Sequence, residues 1–167
     1  NMVDLSSGLA MSGKQVFLYA MAPFITARCY EQIKCSLSAM NLPVTLIGVG
    51  VGLGYDHSTL THFTIEDIAC MRALNGIEIL SPSDQKSAEI IATHAVANPA
   101  FRYLRLERNA QDQIYNDEFI ECLDTGFCEI SRGDRVVIVS YGALLHKVIA
   151  ARHKLKKEGL EVGIIDL

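Results

Sequence analysis

The residues best placed to do chemistry lie together in Gly48-Val-Gly-Val-Gly-Leu-Gly-Tyr-Asp-His-Ser-Thr-Leu-Thr-His62. An imidazole titrates near neutral pH, so His57 and His62 suit proton transfer or hydrogen bonding to a polar substrate. A carboxylate such as Asp56 suits the acceptance of hydrogen bonds from hydroxyl groups. The two histidines stand five residues apart with no cysteine or carboxylate cluster beside them, which is poor metal-ligand spacing. Read locally, His62 serves equally as a structural hydrogen-bonding group, and Asp56 equally as a solvated, turn-forming carboxylate. Phe24, Arg28 and Arg108 have comparable plain readings: a core ring at a helix start, a partner for Glu31 one turn along, and a surface charge where a linker begins.

These groups need a scaffold, and the text around them alternates between strand and helix patterns. Val44–Val49 is an apolar strand running into the glycine-rich loop, and residues 65–74 read as the helix that follows. That order puts titratable groups at the carboxyl end of a buried strand, where open α/β sheets bind ligands. Upstream, Asn1–Ala10 reads as a helix with positions 2, 5 and 9 on its apolar face, and Val16–Ala20 as a short strand. Pro23 opens a helix to about Met40, with Phe24, Tyr30, Ile33 and Leu37 as its apolar side. Downstream come strand Ile77–Leu80, a capping Ser81-Pro-Ser-Asp84, helix Gln85–Ala97 and strand Phe101–Leu106. Residues 107–132 turn polar and irregular, like a linker with a few extended segments. A strand from Arg135, helix Ala143–Glu158 and strand Val162–Asp166 then spell one βαβ unit. The alternation predicts an α/β protein of parallel sheets with helices on both faces.

Composition removes several function classes. The net charge is −4 and the basic residues form no stripe, so no nucleic-acid surface is expected. The longest apolar runs are only strand-length, so no membrane span or secretory leader is expected. Five cysteines form no CxxC pair, and free buried thiols in a reducing, cytoplasmic compartment are expected rather than a disulfide frame or a zinc site. A helix already under way at Asn1 and a strand finishing at Leu167 read as a segment of a longer protein.

Two phosphate-binding motifs fail. Gly8-Leu-Ala-Met-Ser-Gly-Lys-Gln15 ends in glutamine where a magnesium-binding hydroxyl is needed, and it stands between helix and strand in the wrong order. The glycines at 48, 50, 52 and 54 never satisfy GxGxxG, and no GxSxG elbow occurs.

Taken in order, several segments resemble the pyrimidine-binding domain of transketolase-like thiamine diphosphate enzymes. They are Asn1–Ala10, Phe24–Ile33, Leu42–Gly50, Asp56, Thr61-His62, Ile65–Arg72, Leu80–Asp84 and Tyr103–Arg108, followed by Gly133–Gly142 as the opening of that family's C-terminal domain. The resemblance implies a thiamine diphosphate-binding fold over residues 1–108, a linker at 109–132 and the first βαβ unit of a second α/β domain at 133–167. It implies transfer of a two-carbon ketol unit between sugar phosphates. Phe24 would lie against the aminopyrimidine of thiamine diphosphate, and His62 would move protons or hold substrate oxygens. Asp56 would bind sugar hydroxyls and Arg108 the sugar phosphate. Magnesium would be held with the diphosphate by a domain outside this segment, in a homodimer or a paired subunit.

The departures are equally specific. The family's cofactor-activating glutamate would stand before Asn1, so this segment alone would not be a competent enzyme. A substrate-binding histidine found in several transketolases is replaced near Gly48, the Asp56–His62 loop is longer than the usual form, and Met21 stands where an aromatic is usual. Alternatives are a 1-deoxyxylulose-5-phosphate synthase-like enzyme, using similar Asp, Thr-His and Arg positions, and a non-catalytic relative lacking the glutamate. The β subunit of a 2-oxo acid dehydrogenase fits the loop less well.

Overall fold

The computed structural model describes all residues, 1–167, and divides them into two compact units. The first takes residues 1–80 and 93–109, the second 81–92 and 110–167.

The first unit is built on a four-stranded sheet in the order β1-β2-β4-β3, with β1 at Val16–Met21, β2 at Val44–Val49, β3 at Glu78–Leu80 and β4 at Arg102–Leu106. Every pairing in it is parallel, as the alternation of strand and helix requires. β2 and β4 are central and largely buried; β2 reads as a nearly continuous apolar run, whereas β4 carries Arg102 and Arg105 into the interior. Val3, Leu18, Ile25, Ile33, Leu37, Leu46, Met71, Phe101 and Tyr103 pack into one core.

Three helices differ from expectation. Helix α1 (Met2–Met11) buries Val3, Ser6, Ser7 and Ala10, while Met2, Leu5 and Leu9 are 54%, 66% and 42% exposed. Small side chains let that face approach closely, and the Ser7 hydroxyl donates to the Ser36 carbonyl at 3.3 Å. The helix expected from Pro23 to Met40 is broken. α2 (Ala22–Ile25) ends at Thr26, whose hydroxyl donates to the Ala22 carbonyl at 2.6 Å and whose backbone leaves the helical region at φ −116°, ψ −97°. The chain resumes as a 3-10 turn at Ala27–Cys29, α3 at Tyr30–Gln32 and a π-helical stretch at Ile33–Ser38. The helix expected over 65–74 contracts to α4, Asp67–Met71, because Ala73 and Leu74 close back to Cys70 and Met71 in tighter turns.

Helix α5, Gln85–Ala97, and its capping segment match the sequence reading. Within the second unit, the Ser87 N–H donates to Asp84 Oδ1 at 2.7 Å and the Asp84 N–H donates to Ser87 Oγ at 3.1 Å, a reciprocal cap. Asp84 Oδ2 also accepts from the Ile114 and Tyr115 N–H groups at 2.6 and 2.8 Å. Burial opposes ionisation of this carboxyl, but the bonds from Ser87, Tyr115 and Ile114 outweigh it and hold its pKa below the ordinary value. Asp84→Ala is therefore expected to destabilise the second unit by about 2–3 kcal/mol near neutral pH. A depressed native pKa gives stability that is present above the unfolded-state pKa and lost as pH falls through the native one. The gap between wild-type and variant melting temperatures should shrink on acidification.

The second unit holds a three-stranded sheet, order β5-β7-β6, with β5 at Cys128–Ser131, β6 at Val136–Ser140 and β7 at Val162–Asp166. β6, helix α7 (Leu144–Lys157) and β7 form the expected parallel βαβ unit. β5 joins β7 antiparallel, so this sheet is mixed rather than purely parallel. The polar stretch at 107–132 is more ordered than its text suggests, carrying a 3-10 turn at Asp117–Phe119, helix α6 at Ile120–Thr125 and β5. The cysteine expectation is corrected here. Cys122 and Cys128 form a disulfide with Cα atoms 5.2 Å apart, because α6 ends at Gly126 in the left-handed region and returns the chain beside its own start. The other three are free, but Cys35 is exposed and Cys29 and Cys70 are only half-buried. No helix is long and apolar enough to cross a membrane.

Candidate active site

Two strand ends of the first unit carry the candidate groups. β1 stops at Met21 and turns directly into α2, which sets Phe24 half-buried at the carboxyl edge of the sheet. β2 stops at Val49 and enters the glycine loop. Gly50 adopts φ +73° and donates its N–H to the Leu106 carbonyl at 2.8 Å, tying the loop entrance to the end of β4. A Cβ at Gly50 would overlap the Tyr55 ring, so only glycine lets that ring pack down on the loop base. Gly52, at φ +61°, pairs with Thr64 in an isolated antiparallel bridge, the Thr64 N–H donating to the Gly52 carbonyl at 3.0 Å. The bridge pinches residues 53–63 into a closed loop, and Thr59 takes a positive φ of 65° within it.

The loop delivers His62 against Phe24. Their ring centroids lie 5.4 Å apart, edge to face, with an interplanar angle of 65°. The Thr61 hydroxyl lies 2.7 Å from His62 Nδ1, which leaves Nε2 for an incoming group. The Arg28 guanidinium carbon sits 4.1 Å over the Phe24 ring, a cation–π contact. Phe24, His62 and Arg28 thus form one cluster.

Asp56 and Arg108 belong to a second group, on the other limb of the loop. Asp56 is exposed; its Oδ1 accepts from the His57 N–H at 2.7 Å and lies 3.6 Å from His57 Nδ1. Arg108 follows β4, lies 4.9 Å over the Tyr55 ring and donates to the Gly54 carbonyl at 3.4 Å. Its guanidinium is otherwise exposed at the mouth of the loop.

Sequence reasoning missed the polar group beneath. Asp67 opens α4, is 1% exposed and forms an ion pair with Arg105 at 2.7 Å. The Tyr103 hydroxyl donates to the same carboxylate oxygen at 2.9 Å. Burial, followed by the Asp67 charge, drives the Tyr103 phenol pKa far upward, so it remains a donor throughout the ordinary pH range. Tyr103 and Arg105 stand at alternate positions and share one face of β4, but only the burial of that strand, which the residues do not reveal, makes them require an acid partner.

The first unit is thus a wholly parallel sheet bearing an aromatic–imidazole pair at its carboxyl edge. Residues 1–112 match the family model described as "Transketolase, pyrimidine binding domain", and residues 128–167 match "Transketolase, C-terminal domain". The chain belongs to the transketolase family, whose members depend on thiamine diphosphate. It is 29% identical over 167 residues to an apulose-4-phosphate transketolase subunit of Actinobacillus succinogenes, covering 100% of this chain and 53% of that protein. It is 26% identical over 170 residues to a 6-deoxy-6-sulfo-D-fructose transketolase subunit of Clostridium sp., covering 100% of this chain and 52% of that protein. Among solved structures, a split-gene transketolase described as an inactive β4 tetramer superposes with a TM-score of 0.86 at 26% identity, over 98% of this chain and 52% of that one. The chain thus spans about half the length of these relatives. These relatives are transketolases, and they give no support to the deoxyxylulose phosphate synthase alternative.

Proposed function

We propose that this chain is the pyrimidine-side part of a transketolase-like transferase that moves a two-carbon ketol unit between sugar phosphates. The observation that carries the proposal is the half-buried Phe24 ring with His62 against it at 5.4 Å, at the carboxyl ends of two parallel strands.

The residues fit the cofactor's pyrimidine end. A flat heteroaromatic ring packs well on a phenyl ring, and Phe24 offers a half-buried one flanked by Arg28 and His62. When bound, thiamine diphosphate supplies a carbon nucleophile and a sink for the electron pair released as a carbon–carbon bond breaks. His62 Nε2 donates to, or takes a proton from, the substrate oxygen next to the reacting carbon, with Thr61 fixing the other ring nitrogen. Asp56 accepts hydrogen bonds from sugar hydroxyls. Arg108 clamps the phosphate with its planar fork. The carboxylate that shares a proton with the pyrimidine is assigned to residues before Asn1, and the groups that hold the diphosphate and magnesium to a separate domain, on a second copy or a paired subunit. A cytoplasmic location remains part of the reading, although the Cys122–Cys128 disulfide removes one argument for it.

The test uses the native full-length protein with its diphosphate-binding part. Given thiamine diphosphate, magnesium, a ketose phosphate and an aldose phosphate, it should yield a product two carbons longer than the acceptor by mass spectrometry. No elongated product from any ketose phosphate would overturn the proposal and favour a non-catalytic relative. In the same assay, Arg108→Ala should raise KM for phosphorylated sugars roughly 10- to 100-fold, the loss of a charged hydrogen bond, and leave unphosphorylated sugars unaffected.

A further inference from the structure

The buried ion pair under the loop has a geometry that bears on His62. Asp67 meets Arg105 through both oxygens, Nε to Oδ2 at 2.7 Å and Nη2 to Oδ1 at 3.3 Å, and Oδ2 also accepts from the Tyr103 hydroxyl. All three residues are at most 6% exposed. Tyr103 reaches Asp67 only because β2 carries glycine at position 48, where a Cβ would lie 2.8 Å from the phenol oxygen. Gly48 pairs in register with Arg105, so the cluster sits where β2 and β4 run side by side.

The loop hangs from the same place. Its entrance is fixed by the Gly50 and Val51 N–H groups on the Leu106 carbonyl, one residue after Arg105. Its exit is fixed at the Gly52–Thr64 bridge and again at Asp67. His62 stands two residues before the first exit anchor and five before the second, with its own N–H bonded to the Thr59 carbonyl at 3.0 Å. The leg from His62 to Asp67 is five residues long and pinned midway at Thr64, so the bridge and the Asp67 anchor together set the path on which the imidazole stands.

We infer that Asp67, braced by Arg105 and Tyr103, is a positioning residue that holds His62 in register with Phe24. The inference rests on the proposed function for its catalytic consequence, but not for its structural one. The brace touches no reacting atom. It acts by fixing the last anchor of the loop, and a charged bidentate pair suits that task because both its distance and its orientation are set.

Two variants and two readouts decide the matter on the native full-length protein. Tyr103→Phe removes one hydrogen bond and keeps the ring; Asp67→Asn keeps the side-chain shape and removes the charge. The first readout is the rate and pH dependence of His62 modification by diethyl pyrocarbonate, followed by peptide mass spectrometry, which needs no turnover. The second is the split between kcat and KM in ketol transfer. The brace predicts a several-fold change in His62 reactivity in Tyr103→Phe and a larger one in Asp67→Asn. It also predicts kcat falling roughly 10- to 100-fold in Asp67→Asn, with KM for the sugars within about threefold, as a misplaced catalytic group would give. Unchanged His62 reactivity in the folded Tyr103→Phe protein, within about twofold, overturns the inference even if Asp67→Asn does not fold. A wild-type protein that transfers no ketol unit would sink the proposed function, and the modification profile would still decide the brace.

Discussion

Asp67→Ala is expected to cost the first unit about 3–5 kcal/mol. That size follows from what the substitution leaves behind rather than from what the ion pair contributes. Arg105 is 6% exposed and would keep its charge in the sheet interior without the carboxylate that satisfies two of its nitrogens. The Tyr103 hydroxyl, on a fully buried ring, would lose its acceptor as well. A buried charge stripped of its carboxylate and an orphaned donor together approach the whole stability of a marginal domain, about 5–15 kcal/mol. Amide exchange in β2 and β4, measured against urea, isolates this unit from the rest of the protein. Those amides should lose protection in Asp67→Ala, much less so in Tyr103→Phe, and the double variant Asp67→Leu, Arg105→Leu should recover much of the loss by removing both charges. Protection equal to wild type in Asp67→Ala would show that Arg105 finds another anion or reaches water.

His62→Ala is expected to lower kcat of ketol transfer by roughly 10²- to 10⁴-fold in the full-length protein. A proton must move at a substrate oxygen whenever the carbon–carbon bond breaks or forms, and His62 Nε2 is the nitrogen that Thr61 leaves free on a ring packed against Phe24. His57 is a poor substitute, since it is exposed and paired with Asp56 on the other limb of the loop. His62→Gln restores a donor of similar reach without a titratable proton, so it should recover affinity for the sugar more than it recovers turnover. A pH–rate profile separates the two roles: loss of one limb in His62→Gln marks proton transfer, whereas a parallel drop at every pH marks hydrogen bonding alone. Activity within a few-fold of wild type in both variants would remove His62 from the mechanism.

The regular elements are legible where local signals agree. β2 reads at its observed bounds, since Asn41-Leu-Pro43 turns the chain in and glycine releases it, and α5 begins where Asp84 and Ser87 cap it. The helix after Pro23 misleads because Thr26 has an ordinary helical neighbourhood in sequence, and only the fold makes its hydroxyl take the Ala22 carbonyl. Helix α1 misleads in another way: its periodicity marks Met2, Leu5 and Leu9 as the buried face, but close approach to its neighbours selects the serine and alanine side instead. Of the candidate site, the loop is visible in the residues alone, where His62 reads equally as a structural group; Phe24 enters only through the family resemblance, and the structure adds the contact between the two rings. Asp67 is not visible there, because the carboxylate's partners lie 36 and 38 positions away on a strand whose burial must be known first.

The bridge between Gly52 and Thr64 separates the fate of the loop from the fate of the sheet. With both stems joined by their own backbone, residues can be added to or removed from the stretch between them without shifting the pairing of β2 with β4. The entropy of closing such a loop grows slowly, about 0.6 kcal/mol for each doubling of its length. Relatives that share this scaffold can therefore vary the stretch before Thr61 and meet differently shaped sugars, while Thr61-His62 and the sheet that presents Phe24 stay as they are. Specificity in such a lineage is a replaceable part.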